Sequence, residues 1–206
     1  MPTQKLYRLA GWAGAVSAAI LVLNAARRGH LIPDNLPVTH ALAPLAEAFG
    51  LLLLTGLFLA NRLRFALLGA LGYTLNFLGL AGLLGVEYIL NLIFPELTKT
   101  QITTLTNGFT GTMFTATSIA FLTGAVIFAT ALWQADQTPR GAVAAYVLGA
   151  IPVALRGVLP TATFPPGVLV MAIGIAWMGI ALIKHAPSIE KLGANAGMEH
   201  PHPSLA

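Results

Sequence analysis

The chain contains no cysteine. That excludes disulfides, thiolate metal sites, iron–sulfur ligation and thioether-linked haem. Charge is almost as scarce: 9% of the 206 residues are Asp, Glu, Lys or Arg, against 56% hydrophobic. A soluble domain carries roughly 25% charged residues. Eleven basic and seven acidic side chains cannot cover a water-facing surface of this size, and the mean hydropathy is +0.78. A soluble globular fold is thereby excluded in favour of an integral membrane protein. The net charge is +4, yet no run of five or six basic residues occurs, so no nucleic-acid partner is expected. Scattered Lys and Arg in such a chain instead mark loops. There is no Gly-rich phosphate loop, no G-x-S-x-G, no H-E-x-x-H and no mid-helix lysine to carry retinal. No cofactor and no resident metal are therefore expected.

What is present is a series of apolar runs. About 20 apolar residues cross a hydrocarbon core of roughly 30 Å. Six segments meet or approach that length: Leu9–Ala26, Ala41–Ala60, Phe65–Phe94, Phe109–Trp133, Ala142–Leu159 and Gly167–Ile183. The first, behind Lys5 and Arg8, is longer than the roughly 7–15 residues of a signal-peptide core and reads as a membrane helix. Asn61–Arg64 is so short a link that the second and third segments must be antiparallel neighbours. The expected fold is all-α: a polytopic bundle of six transmembrane helices over residues 1–184, then a polar, disordered tail over 185–206. With the N-terminus inside, Lys5, Arg8, Arg62, Arg64, Arg140, Lys184 and Lys191 fall on the cytoplasmic side and Arg27, Arg28, Lys99 and Arg156 outside. This excess favours two cytoplasmic termini, against the counter-signal of Arg27–Arg28.

Small residues at helical spacing, Gly69, Gly72, Asn76 and Gly79 in one segment and Gly11, Gly14, Ala15 and Ala18 in another, suit close helix packing better than a substrate groove. The hydroxyls Thr110, Thr112, Thr115, Thr117, Ser118 and Thr123 can bond back to carbonyls a turn earlier, and need no wet cavity. Pro152 should bend its helix.

Ionisable groups inside a membrane cost about 2.5–3.5 kcal/mol at its centre on insertion scales, which makes them functional candidates. Two acids qualify, Glu47 and Glu87. Glu87 lies eight residues before Pro95 and Glu47 seven after His40, which sets both roughly 10–12 Å below the same membrane face. Arg156, four residues before Pro160, is about 6 Å deep. His40 and Glu47 share a helix face, as do Asn76 and Glu87, while Tyr88 and Asn91 stand close enough to hydrogen-bond Glu87. The candidate binding residues are thus His40, Glu47, Asn76, Glu87, Tyr88 and Arg156, joined by Arg27 or Arg28, and no catalytic residue is assigned. His200-Pro201-His202 beside Glu199 offers metal-ligand types, but at a spacing that solvated tails also show.

The opening Leu6-Tyr7-Arg8-Leu9-Ala10-Gly11 and the late Gly85-Val86-Glu87-Tyr88 resemble small bacterial multi-pass membrane proteins grouped as domains of unknown function. The resemblance implies a bacterial cytoplasmic membrane and no particular activity. Three readings follow. The favoured one is a ligand-binding protein or accessory subunit with a polar pocket in the outer leaflet, its partners being the bilayer and other membrane subunits or a second copy. The next is a small solute or proton-coupled transporter using Glu47 and Glu87, whose polar path would continue inward past Asn76 to Arg62 and Arg64. The third is an intramembrane enzyme, in which a carboxylate has further polar groups around it in a pocket.

Overall fold

A computed structural model describes residues 3–33 and 36–198, with side chains described to residue 185. Among these residues there is no strand, and the elements are helices throughout. The long helices are α1 (Thr3–Arg28), α2 (Pro37–Asn61), α3 (Leu67–Tyr88), α5 (Phe109–Ala135), α6 (Arg140–Ala154) and α7 (Phe164–Met198), with a short α4 (Lys99–Asn107) between α3 and α5. Five stretches of the described chain are long and apolar enough to cross a membrane, on α1, α2, α3 with its continuation to Glu96, α5 and α7. Two sequence expectations need adjustment. The fifth apolar segment is helical only over the 15 residues of α6, because Pro152 lies within it and the chain turns at Leu155. The last helix continues beyond Lys184 to Met198, carried by the helix-forming Ala, Glu and Lys of that stretch. The His200-Pro201-His202 group with Glu199 lies outside the described residues, as does Asp34.

The helices alternate in direction, and their packing closes a ring in the order α1, α2, α3, α5, α6, α7 and back to α1. Small residues make the closure possible. Gly79 on α3 lies against the backbone of Phe121 on α5, and Gly124 on α5 against the backbone of Asn76 on α3. Gly11 on α1 meets the backbone of Gly179 on α7 and Gly14 meets Leu53 on α2. Both small-residue stripes are thus consumed inside the ring. The α5 hydroxyls follow the packing reading as well: Thr112, Thr115 and Thr130 donate to carbonyls four residues earlier. Leu9, Trp12, Leu67, Ile119, Leu148 and Ile173 point outward and exposed, an apolar exterior suited to lipid.

Helix α4 was not foreseen, since Lys99-Thr-Gln-Ile-Thr-Thr-Leu-Thr-Asn107 has little apolar character. Its signal is a capping box. The Thr98 hydroxyl accepts from the Gln101 N–H while the Gln101 side chain accepts from the Thr98 N–H.

Candidate polar site

The polar groups gather at the end of the ring where α1 finishes and α7 begins. Three local features of the chain build it. The first is the end of α1, where the Leu31 N–H bonds the Ala26 carbonyl and the His30 N–H the Arg27 carbonyl. These are the paired bonds of a Schellman motif. His30 takes the left-handed position at φ 58°, a conformation that costs a non-glycine residue about 1–2 kcal/mol. The turn leaves Arg27 and Arg28 as the last helical side chains.

The second feature is the end of α3, where the helix widens into a π turn over Ile89–Ile93. Such turns recur at functional sites. Here the turn directs Asn91 back at Glu87: its side-chain N–H donates to both the Glu87 carbonyl (2.8 Å) and Glu87 Oε2 (2.9 Å). The third is the loop after α6, which carries Arg156.

Glu87 is the hub. Its Oε2 accepts from Arg28 at 2.9 Å and its Oε1 from Arg156 at 3.0 Å. With Asn91 these make three donors on one buried carboxylate, two of them guanidinium. Asn24 accepts from both Arg27 (3.1 Å) and Arg28 (3.3 Å), and Asn91 Oδ1 accepts from Arg27 at 2.6 Å. One network therefore ties α1, the end of α3 and the loop before α7. Burial without partners would make these charges prohibitive; charge-assisted bonds offset that.

Of the candidates drawn from the sequence, Glu87 and Arg156 are in direct contact. Glu47 is buried nearby on α2, within electrostatic reach of Glu87, Arg28 and Arg156, but its Oε2 accepts no hydrogen bond among the described residues. It faces a narrow cavity of about 40 Å³ at the centre of the ring, beside Ser17, whose hydroxyl donates to the Ala46 carbonyl at 2.7 Å. His40 is half-buried one face-length up α2. Asn76 lies apart from the network. It is fully buried and exchanges hydrogen bonds of 3.1 and 3.2 Å with the Tyr146 hydroxyl on α6. Tyr88 corrects an expectation: it is half-exposed and Glu87 is bonded by Asn91 instead, because one residue turns the helix about 100° and carries Tyr88 outward.

Sequence reasoning did not single out Asn24, His30, Tyr146 or Phe164. Phe164, at the start of α7, lies 4.9 Å under the Arg28 guanidinium, a cation–π contact. An open pocket of about 360 Å³ sits over the network, lined by Arg27, Arg28, His30, Arg156, Thr161 and Phe164 among others. No carboxylate lines it among the described residues.

Below this end the interior changes character. The central cavity is walled by Leu53, Leu57, Phe128, Leu132 and Met178, and beside it Phe58 stacks on Tyr73 at 4.2 Å, with Phe65 edge-on to Phe128 at 5.7 Å. The buried charged residues among those described are Arg27, Glu47 and Glu87, all in the other half. No cluster of three metal-ligating side chains occurs among the described residues. Comparison of the chain with protein-family models, with curated proteins and with solved structures gives no match.

Proposed function

We propose that this is a six-span protein of a bacterial cytoplasmic membrane, both termini inside, that binds a ligand in the polar pocket at its outer face. The observation that carries the reading is the segregation of polarity. The buried charges and the open pocket occupy one end of the ring, and the interior toward Arg62 and Arg64 is apolar and aromatic. A path for protons or ions would need polar groups along its length. Instead the cavity that runs from Glu47 into that half is walled by Leu57, Phe128, Leu132 and Met178, and Asn76 is paired with Tyr146 through both its oxygen and its nitrogen. An accessory subunit would hold a small-residue face open for a partner, whereas Gly11, Gly14 and Gly179 are packed within the bundle. An enzyme would gather further polar groups around a carboxylate able to accept a proton, whereas both oxygens of Glu87 are held by arginine and Glu47 faces a cavity walled mostly by apolar side chains. As the sixth span, α6 packs between α5 and α7; its 15 residues cover about 22 Å, and the turn at Leu155–Leu159 adds the remainder.

The test is reconstitution into liposomes loaded with a pH-sensitive dye. Wild type, Glu47→Gln and Glu87→Gln should all match protein-free liposomes; a proton flux in wild type that either substitution abolishes would overturn binding in favour of transport. The absence of native cysteine gives a clean check of sidedness. Thr161→Cys should react with a membrane-impermeant maleimide on intact cells, and Gln137→Cys should react only after lysis. The reverse pattern would invert the proposed orientation.

A further inference from the structure

Resting on that ligand-binding reading, we propose that the pocket takes a phosphate group, borne either by an anionic lipid headgroup or by a soluble phosphate ester, and that Arg28 and Arg156 grip it. A guanidinium has five N–H donors in a planar fork. Arg28 uses one toward Glu87 and one toward Asn24, and Arg156 uses one toward Glu87. Their side chains keep 27% and 21% of their surface accessible, so the remaining donors open on the pocket. Glu87 bridges the two forks from beneath and sets their separation. Glu87 carries a single charge against the two guanidiniums bonded to it, and Glu47 is near them without lining the pocket, so the forks are left able to take a second anion from the open side.

The geometry favours phosphate over carboxylate. A planar carboxylate with its two oxygens already bridges the forks from one side, in the form of Glu87. An anion arriving from the open side meets two forks with Thr161 and His30 beside them, a spread of polar groups that three or more tetrahedral oxygens can use together. The backbone contributes little here. Pro165 and Pro166 carry no N–H, so the start of α7 lacks part of the donor set that makes other helix N-termini bind anions. Recognition falls to the side chains, and Arg28 is held for it by its stacking on Phe164. His30 stands on the rim in a left-handed conformation although Gly29, next to it, would take that conformation freely. Strain kept at a site points to use.

The pocket volume of about 360 Å³ is within the usual range for small-molecule sites, about 300–1,000 Å³, which leaves room for the group the phosphate is attached to. Next to the pocket residues in the chain, Leu31 and Val158 are 81% and 85% exposed, an apolar rim that suits an amphiphile.

The experiment uses the full chain in a neutral maltoside detergent and reads thermal unfolding and, by native mass spectrometry, bound ligand. The probes are inorganic phosphate, glycerol phosphate, dioleoyl phosphatidic acid, oleate and dioleoyl glycerol at matched ionic strength. Stabilisation by phosphatidic acid alone identifies a lipid headgroup. Equal stabilisation by glycerol phosphate identifies a soluble ester, and either result supports the phosphate site. The charge-balanced pair Arg156→Gln with Glu87→Gln should weaken binding about tenfold or more. Arg156→Lys, which keeps the charge on Glu87 and loses the fork, should weaken it by less and serves where the double variant does not fold. Unchanged binding in the folded variants, or oleate binding as well as phosphatidic acid, overturns the proposal. Oleate or dioleoyl glycerol binding through Arg156 with no phosphate binding would leave the ligand-binding reading standing and remove phosphate. Stabilisation by none of the probes would count against both.

Discussion

The two ends of the helix ring are closed by different chemistry. At the arginine end, three guanidiniums, two amides and Glu87 hold α1, α3 and the loop before α7 together through bonds of 2.6–3.3 Å. At the opposite end, Phe58, Phe65, Tyr73 and Phe128 from α2, α3, α5 and the α2–α3 link pack ring on ring. The aromatic end loses little if one contact is altered, since apolar packing is non-directional and tolerates swaps of similar volume. The charged end is brittle. Each group there is wholly or partly buried on the condition that its partners stay, and breaking such a pair costs far more than the pair contributes. A brittle, preorganised end is where a ligand can be recognised; a tolerant end is where a bundle is merely sealed.

The largest expected effect tests that contrast directly. Glu87→Ala leaves Arg28 and Arg156 without the carboxylate that bridges them, and should cost about 3–5 kcal/mol. Tyr73→Phe at the aromatic end removes only a hydroxyl 3.2 Å from Thr55 and should cost well under half as much. Unfolding of both variants in neutral detergent measures the difference, and equal losses would erase the distinction between the ends. Next in size is the seam between them. Gly124→Val on α5 would press a side chain on the backbone of Asn76. Because neither backbone can give way without opening the ring, a loss of about 1–3 kcal/mol is expected from the same measurement.

Tyr146→Phe comes third. It deprives the buried Asn76 amide of its partner, on both its oxygen and its nitrogen. An orphaned buried amide costs about 1–3 kcal/mol, and the lower part of that range is expected since one side chain supplies both bonds. If Asn76 belonged to the binding site, Tyr146→Phe would also weaken ligand binding; as a structural pair remote from the arginines, it should leave binding unchanged.

How far the sequence reached differs between the two ends as well. Depth arithmetic from Pro95 and Pro160 set Arg156 about 6 Å above Glu87, a gap that the long arginine side chain spans, and they are bonded at 3.0 Å. Spacing along one helix also flagged Asn91 beside Glu87. What spacing cannot supply is the order of helices around a ring. Asn76 shares a face with Glu87, a spacing equally compatible with a polar line continuing inward. It meets Tyr146 because ring closure sets α6 next but one to α3, with α5 between them, a relation that no local pattern supplies. His30 escaped notice for a local reason: the adjacent Gly29 is the residue that a C-terminal cap usually selects. Helix α4 escaped because its seven-residue polar content hides the apolar period, and only Thr98 and Gln101 announce it.

The smallest effect concerns the other acid. Glu47 and Glu87 enter the membrane at matching depth by sequence, yet the ring treats them oppositely. Glu87 accepts from three donors, whereas Glu47 lines a cavity walled mostly by leucine, phenylalanine and methionine, and its Oε2 has no hydrogen-bond partner among the described residues. An unsatisfied buried oxygen is a debit of about 1–3 kcal/mol, partly relieved if water enters, for which about 40 Å³ suffices, a water needing roughly 10–15 Å³ of such space. Glu47→Leu removes that oxygen and extends the existing apolar wall at similar volume. It should therefore be neutral or stabilise the fold by up to about 1 kcal/mol, where Glu87→Ala destabilises strongly. Phosphate binding should survive the substitution, because Glu47 does not line the arginine pocket. A loss of stability above about 1 kcal/mol in Glu47→Leu would mean that the two carboxylates act as one structural unit, and the division between a charged end and an apolar interior would then have to be drawn below Glu47 instead of through it.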